Sequence, residues 1–498
     1  MKKEMSKKNK RSAGILMPIF SLPSNYGIGT LGKEAYKFVD FLADAKQTYW
    51  QVLPIGPTSF GDSPYQSFSS FAGNPYFIDL DMLKDDGLLT KKDLSEIKVK
   101  NETKIDYGWL FKNRFKVLYK AYINGIKKDK NNLTKFIKNN KAIHDYAVYM
   151  SIKEYFGMKS WIEWPDIKIR KRDAKTLKQY CDKLKDRIEF YEYIQYLFFK
   201  QFKKLKDYMN TKGIKLIGDI PIYIPLDSCD CWMDPECFEL DDQYIPTAVA
   251  GVPPDYFTAD GQLWGNPLYR YKYMKKVGYK WWINRIEGSI KLYDVIRIDH
   301  FRGFDTYWSV PYGEKTAKNG KWVKGPNMDL LDVLKAKFKN TEFIAEDLGY
   351  HTPGVQKMLD NFGFPGMKVL EFGFDSREAS NHAPHAYVEN SVCYVGTHDN
   401  STIIGWLTAA NKDDVNYALK YLGLKDKKDF NWHMIIAGMS SVSRIFIAQL
   451  QDYLGLDDKA RINQPGTLGN NWKWRLKKGQ LDKKLAKKIG EYTIMYER

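Results

Sequence analysis

Val295-Ile296-Arg297-Ile298-Asp299-His300 is a short, β-branched apolar run that stops at an acid. Apolar runs of this length, bounded by turn or charged residues, read as buried strands. Similar runs recur on both sides of it, at 13–18, 49–54 and 215–220 upstream and at 342–346, 368–374 and 392–397 downstream. An eighth strand is expected near 460–465, after an apolar helix over about 432–450. Strands separated by helical stretches form a parallel sheet, and about eight of them close on themselves. The expected fold is therefore α/β, a (β/α)8 TIM barrel with inserted helical and loop subdomains.

The 498 residues suffice for one large decorated domain, and we expect a single catalytic barrel over 1–498. Residues 83–205, between the second and third strands, carry Lys, Leu, Tyr and Phe at helical spacing with few glycines, which predicts an inserted, mainly helical subdomain. Residues 225–266 follow a strand and are dense in Asp, Pro and Gly. Long irregular loops in compact domains are usually functional, so this segment is expected to be an active-site loop region. The basic stretch 473–488 reads as a solvated helix face.

Hydrophobic residues make up 44% of the chain and charged residues 28%, which excludes a disordered polar chain. The 14 Trp and 34 Tyr exceed what core filling needs, and such rings are surfaces for sugars, bases or peptides. Lys and Arg outnumber Asp and Glu by 18 (78 against 60), but the excess is spread among acids and Asn. A lysine-rich composition accounts for it, and nucleic-acid binding is kept only as a minor alternative. Cys181, Cys229, Cys231, Cys237 and Cys393 are odd in number and sparse, which points to free thiols in a reducing compartment. No fourth Cys or His follows the cluster Cys229, Cys231 and Cys237 at zinc-ligand spacing, so no metal is expected. The basic residues 1–11 lead into an apolar run that is short, contains Pro18 and lacks a small-x-small cleavage site. No apolar stretch approaches the roughly 20 residues of a membrane span. A cytoplasmic protein with no membrane partner is expected.

Strand after strand ends in an acid: Gly218-Asp219, Ile298-Asp299, Ala345-Glu346-Asp347 and His398-Asp399-Asn400. In a parallel barrel all carboxyl ends open on one rim, so these acids converge. A single acid there could equally cap the following helix, but four in series point to a site. Arg297 and Asp299, two apart on a strand, share a face, and the guanidinium is expected to hold Asp299 ionised as a nucleophile. An ordinary structural ion pair is the alternative. Glu346 follows Phe343-Ile344-Ala345, an apolar setting that raises a carboxyl pKa and suits a general acid. Two carboxyls with separated pKa values make a glycosidase pair, and about 5 Å between them would mean retention through a covalent glycosyl intermediate. Asp399 would then be a third, stabilising acid, with His300 and His398 donating hydrogen bonds to sugar hydroxyls. Residues 251–265 have a lid's composition, with glycines at both ends, Pro253-Pro254 and the aromatics Tyr256, Phe257 and Trp264. Those rings could instead merely pack the loop onto the barrel.

The string from Asp294 to Phe304, together with Ile344-Ala345-Glu346-Asp347-Leu348-Gly349 and Gly396-Thr397-His398-Asp399-Asn400, closely resembles the amylomaltases, 4-α-glucanotransferases of glycoside hydrolase family 77 in the α-amylase clan. The resemblance runs from Gly14 through Gly61-Asp62-Ser63-Pro64-Tyr65-Gln66-Ser67 and Gly251-Val252-Pro253-Pro254-Asp255-Tyr256 to Asn463-Gln464-Pro465-Gly466, essentially the whole chain. It implies Asp299 as nucleophile, Glu346 as acid/base and Asp399 as transition-state stabiliser. It implies that Arg297, His300 and His398 contact the donor sugar, that Tyr65 stacks on the sugar being transferred, and that Asp219 belongs to the first barrel motif. Gln262 and Trp264 match the flexible loop over the acceptor side. Ser401 and Ile462 depart from the family's usual Asp and Met. The implied activity is transfer of α-1,4-glucan segments from a maltooligosaccharide donor to the 4-hydroxyl of another glucan or of glucose, with no cofactor. A hydrolytic α-amylase and a non-catalytic glucan-binding protein are the alternatives; the presence of all three acids argues against the second.

Overall fold

Eight parallel strands form one sheet: β1 (Ser12–Leu16), β2 (Tyr49–Gln51), β3 (Lys215–Pro221), β4 (Val295–Asp299), β5 (Glu342–Ala345), β6 (Gly366–Val369), β7 (Ser391–Tyr394) and β8 (Ile445–Gln449). The computed structural model describes residues 11–254, 258–349 and 352–498. The basic start of the chain up to residue 10 and Tyr256 and Phe257 of the expected lid lie outside the described residues. The sheet order is β6-β7-β8-β1-β2-β3-β4-β5, every ladder parallel. β5 and β6 meet through looser contacts. The Ala345 N–H donates to the Pro365 carbonyl at 3.1 Å, and the Met367 N–H donates to Asp347 Oδ1 at 2.7 Å. The result is the expected (β/α)8 barrel.

The strands are buried almost throughout, which is why they read as apolar runs and not as alternating ones. Close approach fixes one position beside the site. A Cβ at Gly218 would lie 2.1 Å from the Tyr293 ring, so only glycine fits immediately before Asp219.

One strand differs from the sequence expectation. The eighth is Ile445–Gln449, whereas 460–465 holds a short 3-10 turn (Asp458–Ala460) and loop. The helix expected over 432–450 is Phe430–Ser440 and stops before Ser441 and Ser443. A strand buried on both faces shows no period-2 pattern, so Ile445-Phe446-Ile447 cannot be told from the end of an apolar helix by periodicity.

Between β2 and β3 lie the helices Tyr107–Asn139, Lys141–Tyr155, Ala174–Lys183 and Lys185–Thr211. The first begins where the Asp106 side chain accepts the Trp109 N–H, and it buries Leu110, Val117, Leu118, Ala121 and Leu133 at helical spacing. Residues 225–266 are more regular than their composition implies. Ala248–Val252 and Gln262–Pro267 are strands of an antiparallel sheet completed by Thr306–Pro311 and Lys321–Lys324 from the β4–β5 excursion. The partner strand is distant in sequence, so no hairpin signal announces it. The basic stretch 473–488 is also only partly helical: the helix is Lys483–Met495, started by Asp482, whose side chain accepts the Leu485 N–H. No helix among the described residues is long and apolar enough to cross a membrane.

Candidate active site

β3 and β4 are in register with Asp219 opposite Arg297 and Pro221 opposite Asp299. The guanidinium of Arg297, buried to 3% exposure, reaches both acids through one nitrogen. Nη1 donates to Asp219 Oδ1 at 2.7 Å and Oδ2 at 2.6 Å, and to Asp299 Oδ1 at 2.9 Å. Asp219 also accepts the Tyr65 hydroxyl at 2.8 Å. Tyr65 in turn stacks on His398, ring centroids 5.1 Å apart and planes within 17°. The string Tyr65–Asp219–Arg297–Asp299 is thus one hydrogen-bonded unit spanning two strands and a loop.

Glu346 follows β5 directly and is buried. Its Oε2 accepts the His300 N–H at 2.7 Å and its Oε1 the Leu348 N–H at 2.8 Å. Burial and the neighbouring charge of Asp299 push its pKa up to about 8, against the pull of Arg297 and the two amides. For Asp299 the expectation of a depressed pKa needs correction. Burial raises it, and Arg297, whose charge is shared with Asp219, only partly offsets this. Glu346 is the acid lifted to about 8, so it keeps its proton near neutrality, and Asp299 is the acid that lies beside the Arg297 cation. Both histidines are neutral: burial and Arg302 push His300 down to about 3, and burial lowers His398.

Asp399 lies five residues past β7, on a loop. Its Oδ1 accepts from Asn463 Nδ2 at 2.6 Å and lies 3.2 Å from His398 Nε2. Trp264 comes from the antiparallel sheet and meets His300 edge-to-face, centroids 4.8 Å apart, while its indole N–H donates to Gln262 Oε1 at 3.2 Å. A cleft of about 470 Å³ opens between these elements. Tyr65, Gln262, Trp264, Asp299, His300, His398 and Asp399 line it. Asp219 and Arg297 lie beneath, behind Tyr65 and Asp299. All ten residues singled out in the sequence therefore belong to one neighbourhood, connected by direct contacts or by a shared wall.

Sequence reasoning missed three residues here. Asn463, Trp472 and Tyr223 line the same cleft. Trp472 packs near Tyr65 and His398, at 5.8 and 6.0 Å between centroids. The motif from Asn463 to Gly466 is the available signal, but it carries no acid, so an argument from acids at strand ends gives it no role.

A closed α/β barrel with convergent acids at its carboxyl rim, under an aromatic-lined cleft, defines a carbohydrate-active barrel enzyme. The model of glycoside hydrolase family 77, described as 4-alpha-glucanotransferase, matches residues 17–482. A 4-alpha-glucanotransferase from Clostridium butyricum is 49% identical over 487 residues, 97% of this chain and all of the relative. One from Streptococcus pneumoniae is 45% identical, covering 98% of both chains. The solved amylomaltase from Streptococcus agalactiae, in complex with acarbose, superposes with a TM-score of 0.96 at 43% identity, over 98% of this chain and 100% of that one. The chain belongs to the 4-alpha-glucanotransferase family and is an enzyme of that type.

Proposed function

We propose that the enzyme disproportionates α-1,4-glucans with retention of configuration, acting on maltooligosaccharides in the cytoplasm. Asp299 attacks the anomeric carbon of the donor while Glu346 delivers its proton to the departing 4-oxygen, so the glycosidic C–O bond breaks as the Asp299 ester forms. Glu346, now a carboxylate, takes the proton of the incoming 4-hydroxyl, and that oxygen displaces Asp299. Asp399 stabilises the oxocarbenium-like transition states between. Arg297 lowers the energy of the Asp299 carboxylate as it leaves, and neutral His300 and His398 donate to sugar hydroxyls, His398 turning its Nε2 from Asp399 Oδ1 at 3.2 Å to do so. Tyr65 presents its ring to the sugar being transferred, and Gln262 with Trp264 borders the acceptor. Glucose serves as the smallest acceptor.

The observation that carries this reading is the pair itself. A proton-holding Glu346 is anchored by the amide of His300, the residue that follows an arginine-paired Asp299. Family membership supplies the preference for a sugar over water as the second substrate. Maltotriose is the test. It should give glucose and a ladder of longer maltooligosaccharides while total reducing ends barely rise. Reducing ends climbing in step with substrate loss, with no longer chains, would make the enzyme a hydrolase.

A further inference from the structure

The segment 461–463 grips the loop that carries Asp399 at both main chain and side chain. Arg461 Nη2 donates to the Asp399 carbonyl at 2.5 Å, its Nε donates to the Asn463 carbonyl at 2.8 Å, and its Nη1 donates to Ser401 Oγ at 3.3 Å. The Asn463 N–H donates to the His398 carbonyl at 3.1 Å, and Asn463 Nδ2 donates to Asp399 Oδ1 at 2.6 Å. Among the described residues no donor reaches Asp399 Oδ2.

These contacts matter because Asp399 is poorly constrained by its own strand. It sits on a loop beyond β7, its side chain is 44% exposed, and the terminal torsion of an aspartate is broad. A carboxylate that must meet one sugar ring in one orientation needs that torsion fixed, because small misplacements of a positioned group lower rates by large factors. The Asn463 amide fixes it by occupying Oδ1 at 2.6 Å, closer than His398 Nε2 at 3.2 Å. Arg461 fixes Asn463 relative to Asp399 by bridging their two carbonyls, a geometry that suits the planar guanidinium fork and not a point charge.

We infer that Arg461 and Asn463 are positioning residues for glucan transfer, which set the rotamer of Asp399 and so leave Oδ2 as the oxygen presented to the donor sugar. The inference rests on the proposed role of Asp399. Gln464, Thr467, Leu468 and Trp472 line the cleft from the same segment as Asn463.

Steady-state kinetics on maltotriose, with α-maltosyl fluoride for slow variants, provide the test alongside thermal unfolding of each protein. Asn463→Ala should lower kcat about tenfold or more with KM changed less than about twofold, the pattern of an interaction realised in the transition state. Arg461→Ala should do the same, and Arg461→Lys should stay impaired at an unchanged melting temperature. The losses should not multiply: in an Asp399→Ala background, Asn463→Ala should change kcat by less than about twofold, because nothing remains to be oriented. A merely structural asparagine would give the same factor in both backgrounds. If Arg461→Ala does not fold, Asn463→Ala decides alone, since its side chain reaches Asp399 at the cleft wall. The inference fails if Asn463→Ala keeps kcat within about threefold of wild type, or if its loss is undiminished without Asp399. An Asp399→Ala variant as fast as wild type would instead remove the role of Asp399, and the positioning role with it.

Discussion

The backbone N–H of His300 donates to Oε2 of Glu346 at 2.7 Å, so the residue that follows Asp299 anchors the carboxyl of the acid on the neighbouring strand. His300 can do this because its backbone is in the left-handed region, at φ 55°, which turns the chain sharply after β4. That conformation costs a non-glycine residue about 1 kcal/mol or more, and such strain is found where a site over-determines it. The two carboxyls are therefore set relative to each other by main chain, with Arg297 holding Asp299 from below.

The pKa of Glu346 predicts an alkaline limit to activity. In the role proposed for Glu346 the acid form protonates the leaving oxygen, and that form is lost as pH rises through about 8. The kcat/KM profile should fall on that side with an apparent pKa near 8. The linkage to stability has a definite sign. Because the folded value lies above the ordinary glutamate value of 4.5, the stability associated with the buried protonated carboxyl is whole below about 4.5 and drains away as pH approaches 8. Glu346→Gln, which cannot ionise, should accordingly melt higher than wild type at about pH 9 and match it at about pH 4. A flat profile up to about pH 10 would contradict the role of Glu346 as acid.

Asp299→Asn should abolish transfer from maltotriose without loss of the fold, because an amide cannot form the ester. Glu346→Gln should be as severe on maltotriose yet recover substantially on α-maltosyl fluoride, whose leaving group needs no proton. We expect losses of at least about 10³-fold on the natural donor for each. Rates near wild type for either on maltotriose would dismantle the assignment.

The rim acids already have protein donors: Asp219 has Arg297 and Tyr65, Asp299 has Arg297, Glu346 has two amides, and Asp399 has Asn463. A divalent cation needs six or more oxygen ligands free to turn toward it. Activity should therefore be indifferent to EDTA. Inactivation by the chelator, reversed by calcium, is the outcome that contradicts this.

What was legible in the sequence follows from what a linear string can encode. The acids at 219, 299 and 346 sit within or directly after apolar strands, so the apolar runs and the common rim of a parallel barrel suffice to bring them together. Asp399 was legible only because His398-Asp399-Asn400 follows an apolar run, although four loop residues separate it from β7. β8 was misplaced because Ile445 to Gln449 is buried on both faces and carries no periodicity. The antiparallel sheet that delivers Gln262 and Trp264 was invisible because its central pairing joins 248–252 to 306–311. The electrostatics of Asp299 could not be read either, since one guanidinium nitrogen serving two carboxylates is a register effect between β3 and β4.

Trp264 gives the prediction that separates transfer from cleavage. Its ring stands edge-on to His300, and Leu263 and Gln262 extend the same wall of the cleft. A transferase must keep water off the glycosyl ester until an acceptor arrives, and an apolar wall beside the leaving-group side does that while offering a stacking face to the incoming sugar. Trp264→Ala removes both. Synthesis of longer maltooligosaccharides should fall about tenfold or more, while release of net reducing ends falls less or rises, so the ratio of the two drops. The comparison is made at equal melting temperature, because the ring also packs near Tyr223, 6.3 Å between centroids. If both activities fall by one factor, or only the melting temperature changes, Trp264 serves the packing of the antiparallel sheet and the acceptor is selected by another part of the cleft.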